Sequence, residues 1–156
     1  MSRRFLVLWA GRHRRRGWDD LCSDYRKRIE REMPVDDRML KVKGASEDPR
    51  RRSAEGRAML DALPDPCWPV ALDAGGRTMP SEAFAGELAR LRREWPHPVV
   101  FLIGSDLGLD PGVVKRARTR LSFGPMVFGH ELARLVLYEQ LYRALAMDRG
   151  IKYHRA

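Results

Sequence analysis

Five consecutive large apolar residues, Val99 to Ile103, constrain the fold of this chain more than any other stretch. The run is too short for a buried helix and is typical of a strand that is covered on both faces, as in a parallel sheet. Gly104 and Gly108 then indicate a tight loop, and Asp110-Pro111 indicates a helix start, with an N-cap followed by proline at the first helical position. This order of elements is common at the ligand-binding edge of α/β folds, although a plain turn between strand and helix explains it equally well.

Strand-like and helix-like segments alternate along the chain, which predicts an α/β fold with a mostly parallel sheet. We expect a single domain over residues 1–156, because no linker or repeat interrupts this pattern. The predicted strands are Phe5–Trp9, Arg38–Lys43, Pro69–Asp73, Val99–Ile103 and Leu121–Phe123. The predicted helices start near Trp18, Asp48, Ser81, Pro111 and His130, and Ser81 is expected to cap the third of them. The run Arg50-Arg51-Arg52 opens the second helix against the preference of the helix dipole, which indicates either an external anion or a solvated face.

The chain is strongly basic, with 30 Lys and Arg residues against 21 Asp and Glu, a formal net charge of +9 and a pI near 10.2. Such an excess favours a polyanionic partner such as nucleic acid. The support is modest, because only five of the basic residues are lysines and an arginine bias can reflect genome composition. The most basic loop contains Arg12, Arg14, Arg15 and Arg16, and we expect these side chains to contact nucleic-acid phosphates without reading sequence.

Several classes of protein find no support in the sequence. No apolar run approaches the roughly 20 residues that a membrane helix needs, so no membrane partner is expected. The two cysteines, Cys22 and Cys67, show neither metal-ligand spacing nor a disulfide framework, which favours a reducing cytoplasm and no bound metal. No Gly-x-Ser-x-Gly motif indicates a hydrolase.

Three loops follow predicted strands and are expected to lie close together, after Leu72, after Ile103 and after Phe123. They combine glycine-flanked backbone with apolar side chains and few ionisable groups. The loop after Ile103 lacks both the dinucleotide fingerprint and the Gly-Lys-Ser/Thr of a phosphate loop. Such a site suits a neutral ring such as adenine better than a triphosphate, which requires a lysine and a metal-holding acid.

The last helix and the C-terminal tail contain the remaining candidates. His130 at the helix start is either a cap or core contact or a functional residue. Arg134 lies among apolar neighbours, so its charge is expected to be partly buried. Such burial is unfavourable unless the charge is paired or faces a ligand. The terminal Tyr153-His154-Arg155 is either a frayed end or, if the tail is held in place, a set of groups that can serve a nucleobase.

One ordered set of motifs resembles a known family along nearly the whole chain. The set comprises Leu72-Asp73 with Gly76, Ile103-Gly104 with Gly108-Leu109, Leu121-Ser122-Phe123, His130 with Arg134, Glu139-x-Leu141-Tyr142-Arg143-Ala144 and Tyr153-His154-Arg155. It resembles the RlmH family of small SPOUT-class methyltransferases. The resemblance implies an α/β fold with a C-terminal trefoil knot and an obligate homodimer. The implied reaction is methylation of ring nitrogen 3 of a pseudouridine in large-subunit (23S) ribosomal RNA by S-adenosyl-L-methionine, in the free subunit or the assembled ribosome.

The resemblance also implies roles for individual residues. The cofactor would be held by Leu72, Gly104, Ser105, Phe123, Gly124, Pro125, Met126, Val127, Phe128 and Gly129. The target base would be served by Arg134, Tyr153, His154 and Arg155, across the dimer interface. We expect His154 to accept or relay the ring proton, and Arg134 or Arg155 to stabilise negative charge on the base carbonyls.

The chain departs from the family pattern at two places. Ser105-Asp106-Leu107 stands where relatives have a second glycine, a proline or small residue and an acid, and Val127-Phe128-Gly129 replaces a Thr and Pro. If the turn requires a positive φ at Ser105, the serine costs roughly 1 kcal/mol or more. The alternative function is therefore a non-catalytic RNA-binding protein with the same fold and a weakened cofactor pocket.

Overall fold

The backbone alternates between strands and helices throughout the computed structural model, which describes residues 2–11, 15–42 and 48–154, without the side chain of His154. The strands are β1 (Phe5–Ala10), β2 (Val35–Leu40), β3 (Trp68–Thr78), β4 (Val99–Ile103) and β5 (Thr119–Ser122). The helices are α1 (Arg16–Ile29), α2 (Asp48–Ala62), α3 (Ser81–Glu94), α4 (Pro111–Arg116) and α5 (His130–Asp148), followed by a 3₁₀ turn at Lys152–His154. The predicted α/β class is confirmed.

All five strands form one parallel sheet in the order β2-β1-β4-β3-β5. The apolar run that predicted a doubly covered strand is the central strand β4, and every residue in it is buried. The strands β4 and β5 flank β3 on opposite sides, so the connection from β4 to β5 crosses β3. This strand order is compatible with the trefoil knot, which stays a prediction.

Two helical layers cover the sheet, and the alternation of side chains along β1 decides which residue faces which layer. Phe5, Val7 and Trp9 belong to the larger cluster, which also contains buried residues of α1, α3 and α5. Leu6 and Leu8 belong to the smaller cluster, with residues of α2 and α4. Burying each large apolar side chain contributes about 1.5–3 kcal/mol, so these clusters supply most of the drive to fold.

The boundaries of three strands were predicted wrongly. The observed β2 is Val35–Leu40 rather than 38–43, and it lies at the sheet edge as its alternating pattern suggested. The strand β3 continues to Thr78, where a loop was expected from Ala74, because β5 pairs with it again after a register shift between Leu72 and Arg77. The last strand is correspondingly Thr119–Ser122 rather than 121–123.

The two predicted helix caps had different outcomes. Asp110 caps α4 as expected, and its carboxylate accepts a hydrogen bond from the backbone N–H of Gly112 at 2.9 Å. Ser81 does not cap α3, because Pro80 occupies the N-cap position and the Ser81 hydroxyl donates instead to the side chain of Gln140 on α5 at 2.7 Å. This hydrogen bond links α3 to α5.

Candidate functional site

A cavity of about 220 Å³ lies at the carboxyl edge of the sheet, where the three predicted loops meet. Its walls come from the segments 72–74, 103–109 and 123–128, together with the start of α5. Eight of the ten predicted cofactor residues line it: Leu72, Gly104, Ser105, Phe123, Gly124, Met126, Val127 and Phe128. Pro125 and Gly129 do not line the cavity.

The turn after β4 is closed by backbone contacts that only glycine permits at Gly104. A Cβ added there would lie 2.4 Å from the carbonyl carbon of Gly108, which no native contact tolerates. Gly108 itself has φ of 75°, and its N–H donates to the carbonyl of Ser105 at 2.9 Å. Ser105 has no positive φ, since within the described ranges only glycines do. The serine therefore carries none of the backbone strain considered for this departure.

Helix α2 holds the same turn from behind. The buried carboxylate of Glu55 accepts a hydrogen bond from the Ser105 hydroxyl at 2.6 Å. The guanidinium of Arg51, also buried, donates to both carboxylate oxygens of Asp106 at 2.8 and 2.9 Å. Neither an external anion nor a solvated face therefore explains Arg51. Ser105 and Asp106, the polar residues that depart from the family pattern, are therefore hydrogen-bonded to side chains of α2. We refer to Arg51, Glu55, Ser105 and Asp106 as the α2 clamp.

The first residue of α5, His130, lines the cavity and stacks on Trp9 with ring centroids 5.8 Å apart. Its Nε2 is buried and has no hydrogen-bond partner among the described residues. The close approach requires glycine at position 11, because a Cβ there would lie 2.5 Å from Nε2. His130 is therefore both a core contact and a polar atom at the cavity wall.

Arg134, which was expected to serve the target base across the dimer interface, does not line the cavity of its own chain. The residue is only 1% exposed, and its guanidinium donates at 2.8 Å to both Asp19 and Asp37 and lies 4.5 Å from the Trp9 ring centroid. Burial lowers the pKa of Arg134, but the hydrogen bond and charge of Asp37 outweigh this effect and raise the pKa above its ordinary value. Asp37 also accepts from Tyr138 at 2.5 Å, so Arg134 is the centre of a buried network that joins α1, β2 and α5.

The C-terminal tail is held in place as far as Tyr153, which up to that residue favours the ordered tail over the frayed end. The Tyr153 ring packs edge-on against Tyr142 with centroids 4.7 Å apart, and its hydroxyl lies 3.4 Å from that of Tyr25. Burial, with the Tyr25 hydrogen bond, raises the pKa of Tyr153, so the phenol stays protonated at neutral pH. Tyr153 does not line the cavity of its own chain, while the His154 side chain and Arg155 lie outside the described residues.

The basic loop is described only at its end. Arg12 and Arg14 lie outside the described residues, whereas Arg15 and Arg16 are exposed. The backbone N–H of Arg15 donates to Glu131 of α5 at 2.8 Å, and the Arg15 Nε lies 3.7 Å from the same carboxylate. The loop is therefore tied to the start of the helix whose first residue lines the cavity.

The described residues give no support to thiol chemistry, metal binding or a membrane span. Both cysteines are free and buried, and burial raises the pKa of Cys22 to about 11, which leaves little thiolate at neutral pH. Within residues 2–11, 15–42 and 48–154, no group of three His, Cys, Asp or Glu side chains is placed to hold a metal ion. In the same residues, no helix combines the length and apolarity needed to cross a membrane.

Known proteins resemble the chain along nearly its full length. A family model described as "Predicted SPOUT methyltransferase" matches residues 4–154. Proteins named ribosomal RNA large subunit methyltransferase H are similar to it: that of Nitratidesulfovibrio vulgaris strain DP4 is 40% identical, covering 97% of this chain and 98% of the relative. That of Gluconacetobacter diazotrophicus is 44% identical, covering 96% of each.

The fold is also found in solved structures. A probable methyltransferase from Bordetella pertussis superposes with a TM-score of 0.57 at 15% identity, covering 92% of this chain and 96% of that one. This likeness shows the fold alone. The family-model match and the two relatives also show the family: the chain belongs to the SPOUT methyltransferase family.

Proposed function

We propose that this chain transfers a methyl group from S-adenosyl-L-methionine to ring nitrogen 3 of a pseudouridine in large-subunit ribosomal RNA. The observation that carries the proposal is the single cavity formed by the three loops at the carboxyl edge of the sheet. The similar proteins are named ribosomal RNA large subunit methyltransferases, which supports ribosomal RNA as the substrate. We also propose that the protein acts in the cytoplasm, because its proposed substrate is ribosomal RNA, and that residues 1–156 form a single domain.

The residues at the cavity fit the proposed cofactor. Apolar side chains of Leu72, Met126 and Phe128 suit the adenine ring, and the glycine turn at Gly104 exposes backbone groups that can hydrogen-bond its polar edge. The carboxylates at the wall are already paired, Asp73 with Arg120 at 2.7 Å and Asp106 with Arg51. When bound, the cofactor supplies a methyl group on a positively charged sulfur.

The chain then has to align the target base and remove one proton. Methyl transfer is a displacement in which the ring nitrogen forms a bond to the methyl carbon as the carbon–sulfur bond breaks, so alignment supplies much of the acceleration. We assign to His154 the acceptance or relay of the ring N–H proton, and to Arg155 the stabilisation of charge on the carbonyl oxygens. The paired and buried Arg134 is a positioning residue.

Binding of S-adenosyl-L-methionine separates this proposal from a non-catalytic RNA-binding protein. That alternative depended on a damaged glycine turn, and Ser105 has no positive φ. Titration calorimetry of the purified protein should therefore give saturable binding of the cofactor. Absence of binding at millimolar ligand would favour the non-catalytic protein.

We further propose that the active form is a homodimer with a two-fold interface that includes the start of α5. Large apolar side chains are exposed in the loop before α5 and in its first turn: Met126 by 77%, Val127 by 88% and Leu132 by 38%. A partner's tail could reach the cavity that Tyr153 does not reach in its own chain. Light scattering at micromolar protein should give twice the monomer mass, and an active monomer would contradict the dimer.

The α2 clamp predicts that a residue outside the cavity controls cofactor affinity. Arg51→Ala removes both hydrogen bonds to Asp106 and frees one side of the turn. We expect the dissociation constant for S-adenosyl-L-methionine to rise about tenfold, the equivalent of about 1.4 kcal/mol for two charge-assisted hydrogen bonds to an exposed carboxylate. Calorimetry measures this change, with Arg52→Ala, an exposed neighbour, as the matched control. If Arg51→Ala and Arg52→Ala bind S-adenosyl-L-methionine equally tightly, Arg51 does not position the turn for the cofactor.

The basic loop should act on RNA binding rather than on transfer. Replacing Arg14, Arg15 and Arg16 with alanine should weaken RNA binding and lower the salt dependence by up to about one phosphate contact per residue. Transfer at saturating RNA should survive, because Arg15 and Arg16 do not line the cofactor cavity and phosphate contacts do not align the target base. Filter binding over a series of salt concentrations measures RNA affinity, and single-turnover kinetics measure methyl transfer. Loss of methyl transfer at saturating RNA would contradict this assignment.

A further inference from the structure

A second cavity, of about 470 Å³, lies between α3 and the strands β3 and β5. Its floor is apolar and includes Phe84, Leu88, Leu91 and Phe101. Its volume is within the range of small-molecule sites and is larger than that of the cavity assigned to the cofactor. The proposed reaction gives this cavity no role.

Three arginines, Arg77, Arg118 and Arg120, contribute to the walls of this cavity and are exposed. Arg120 is paired with Asp73, whereas Arg77 and Arg118 have no carboxylate within ion-pair distance among the described residues. The one acidic residue that lines the cavity in the described chain, Glu87, is bonded to Arg90 at 3.0 Å. The cavity therefore combines apolar walls with positive charge that no carboxylate neutralises.

The guanidinium of Arg118 is supported by aromatic rings. Its central carbon lies 3.8 Å from the Trp68 ring centroid and 5.3 Å from that of Trp95. Trp68 is itself fixed by a hydrogen bond from its indole N–H to Thr119 at 3.0 Å. An arginine stacked in this way is preorganised, and its planar set of donors matches the geometry of a phosphate.

The arginine-lined cavity lies near the cofactor cavity, and a third concave surface shares wall residues with both. This concave surface has a volume of about 380 Å³. It shares Met79, Phe84 and Leu121 with the arginine-lined cavity. It shares Phe123, Gly124 and Phe128 with the cofactor cavity. A strand of RNA with its target base at the cofactor could therefore continue along β5 to the arginines.

We propose that the arginine-lined cavity binds an unpaired nucleotide that flanks the target, with its base on the apolar walls and its phosphates on Arg77 and Arg118. Single-stranded RNA is recognised in this way elsewhere, because unstacked bases bury their faces on apolar or aromatic side chains and arginines hold the backbone. The inference rests on the proposed function for the identity of the polymer. It adds a binding site separate from the basic loop and from the tail.

The test compares binding of a fluorescent, short single-stranded RNA with binding of the same strand annealed to its complement, by anisotropy with the full-length protein. The wild type should bind the single strand about tenfold more tightly than the duplex, since pairing withholds the base. Arg77→Ala/Arg118→Ala should weaken single-strand binding about tenfold and lower the salt slope by up to about two. Arg52→Ala/Arg57→Ala removes the same charge from exposed positions of α2, on the other face of the sheet, and should change binding less than about twofold.

Two further variants fill the cavity without changing the charge. Met79→Trp adds bulk to a wall, and Gly75→Leu adds it at an exposed position where a new Cβ meets only side-chain ends at 3.4 and 3.5 Å. Both should abolish the preference for the single strand, and the second keeps the test valid if the first unfolds. Equal binding of single strand and duplex by the wild type, no RNA binding at all, or an unchanged preference in Gly75→Leu would overturn the proposal. Because the assay scores binding alone, a wild type that prefers the single strand yet transfers no methyl group would contradict the proposed function and not this site.

Discussion

Replacing Arg134 with methionine is expected to lower the free energy of unfolding by about 3–5 kcal/mol. The substitution removes both hydrogen bonds at 2.8 Å and leaves Asp37, whose side chain is fully buried, with a negative charge and no cation beside it. Methionine keeps much of the length of the side chain, so little new void is created. The decrease in the free energy of unfolding therefore comes mainly from the broken ion pair. Urea denaturation of the wild type and the variant measures the difference.

Arg90→Met is the matched control for this prediction. Arg90 also bonds two carboxylates, those of Glu87 and Glu94, but its side chain is 40% exposed. An exposed pair of this kind contributes little to stability, because water and salt screen the attraction. A loss for Arg134→Met no larger than that for Arg90→Met would contradict the role of Arg134 as the centre of the buried network.

Replacing His154 with alanine is expected to lower the rate of methyl transfer about 100-fold, the usual contribution of a positioned general base. Binding of S-adenosyl-L-methionine and of ribosomes should be unchanged, because the residue does not belong to the loops that line the cofactor cavity. The 3₁₀ turn places His154 directly after Tyr153, whose ring is packed against Tyr142. Single-turnover rates on saturating ribosomal substrate measure the effect.

Lys152→Ala provides the control, since Lys152 belongs to the same turn and is exposed. The rates should be compared over about pH 6 to pH 9, which spans the ordinary pKa of histidine. If His154→Ala transfers methyl at the wild-type rate across this range, the assignment of His154 as proton acceptor is wrong. A rate for Lys152→Ala close to that of the wild type is expected.

Features that depend on neighbouring residues were predicted from the sequence. The run Val99–Ile103 identified the central strand, because five large apolar residues in a row require cover on both faces. The Asp110 cap and the start of α4 were equally local, since the carboxylate bonds a backbone N–H two residues away. The convergence of the three loops followed from the parallel arrangement of the strands, which brings their carboxyl ends to one edge.

Features that depend on distant partners were missed. The extension of β3 beyond Asp73 exists because β5 pairs with Arg77 and Thr78, more than 40 residues later in the chain. The clamp joins Arg51 to Asp106, a separation of 55 residues, and no periodicity in α2 reveals such a bond. Arg134 was recognised as a charge among apolar neighbours that is paired or faces a ligand, but the sequence could not choose between these outcomes.

The central claim is that this chain methylates ring nitrogen 3 of a pseudouridine in large-subunit ribosomal RNA. It is tested most directly by mapping modified nucleotides in that RNA by mass spectrometry, in a strain that lacks the gene and in the same strain complemented with it. The account predicts that one methyl group on a pseudouridine ring is lost in the deletion strain, is restored by the wild-type chain and is not restored efficiently by His154→Ala. An identical pattern of methylation in the deletion and complemented strains would contradict it.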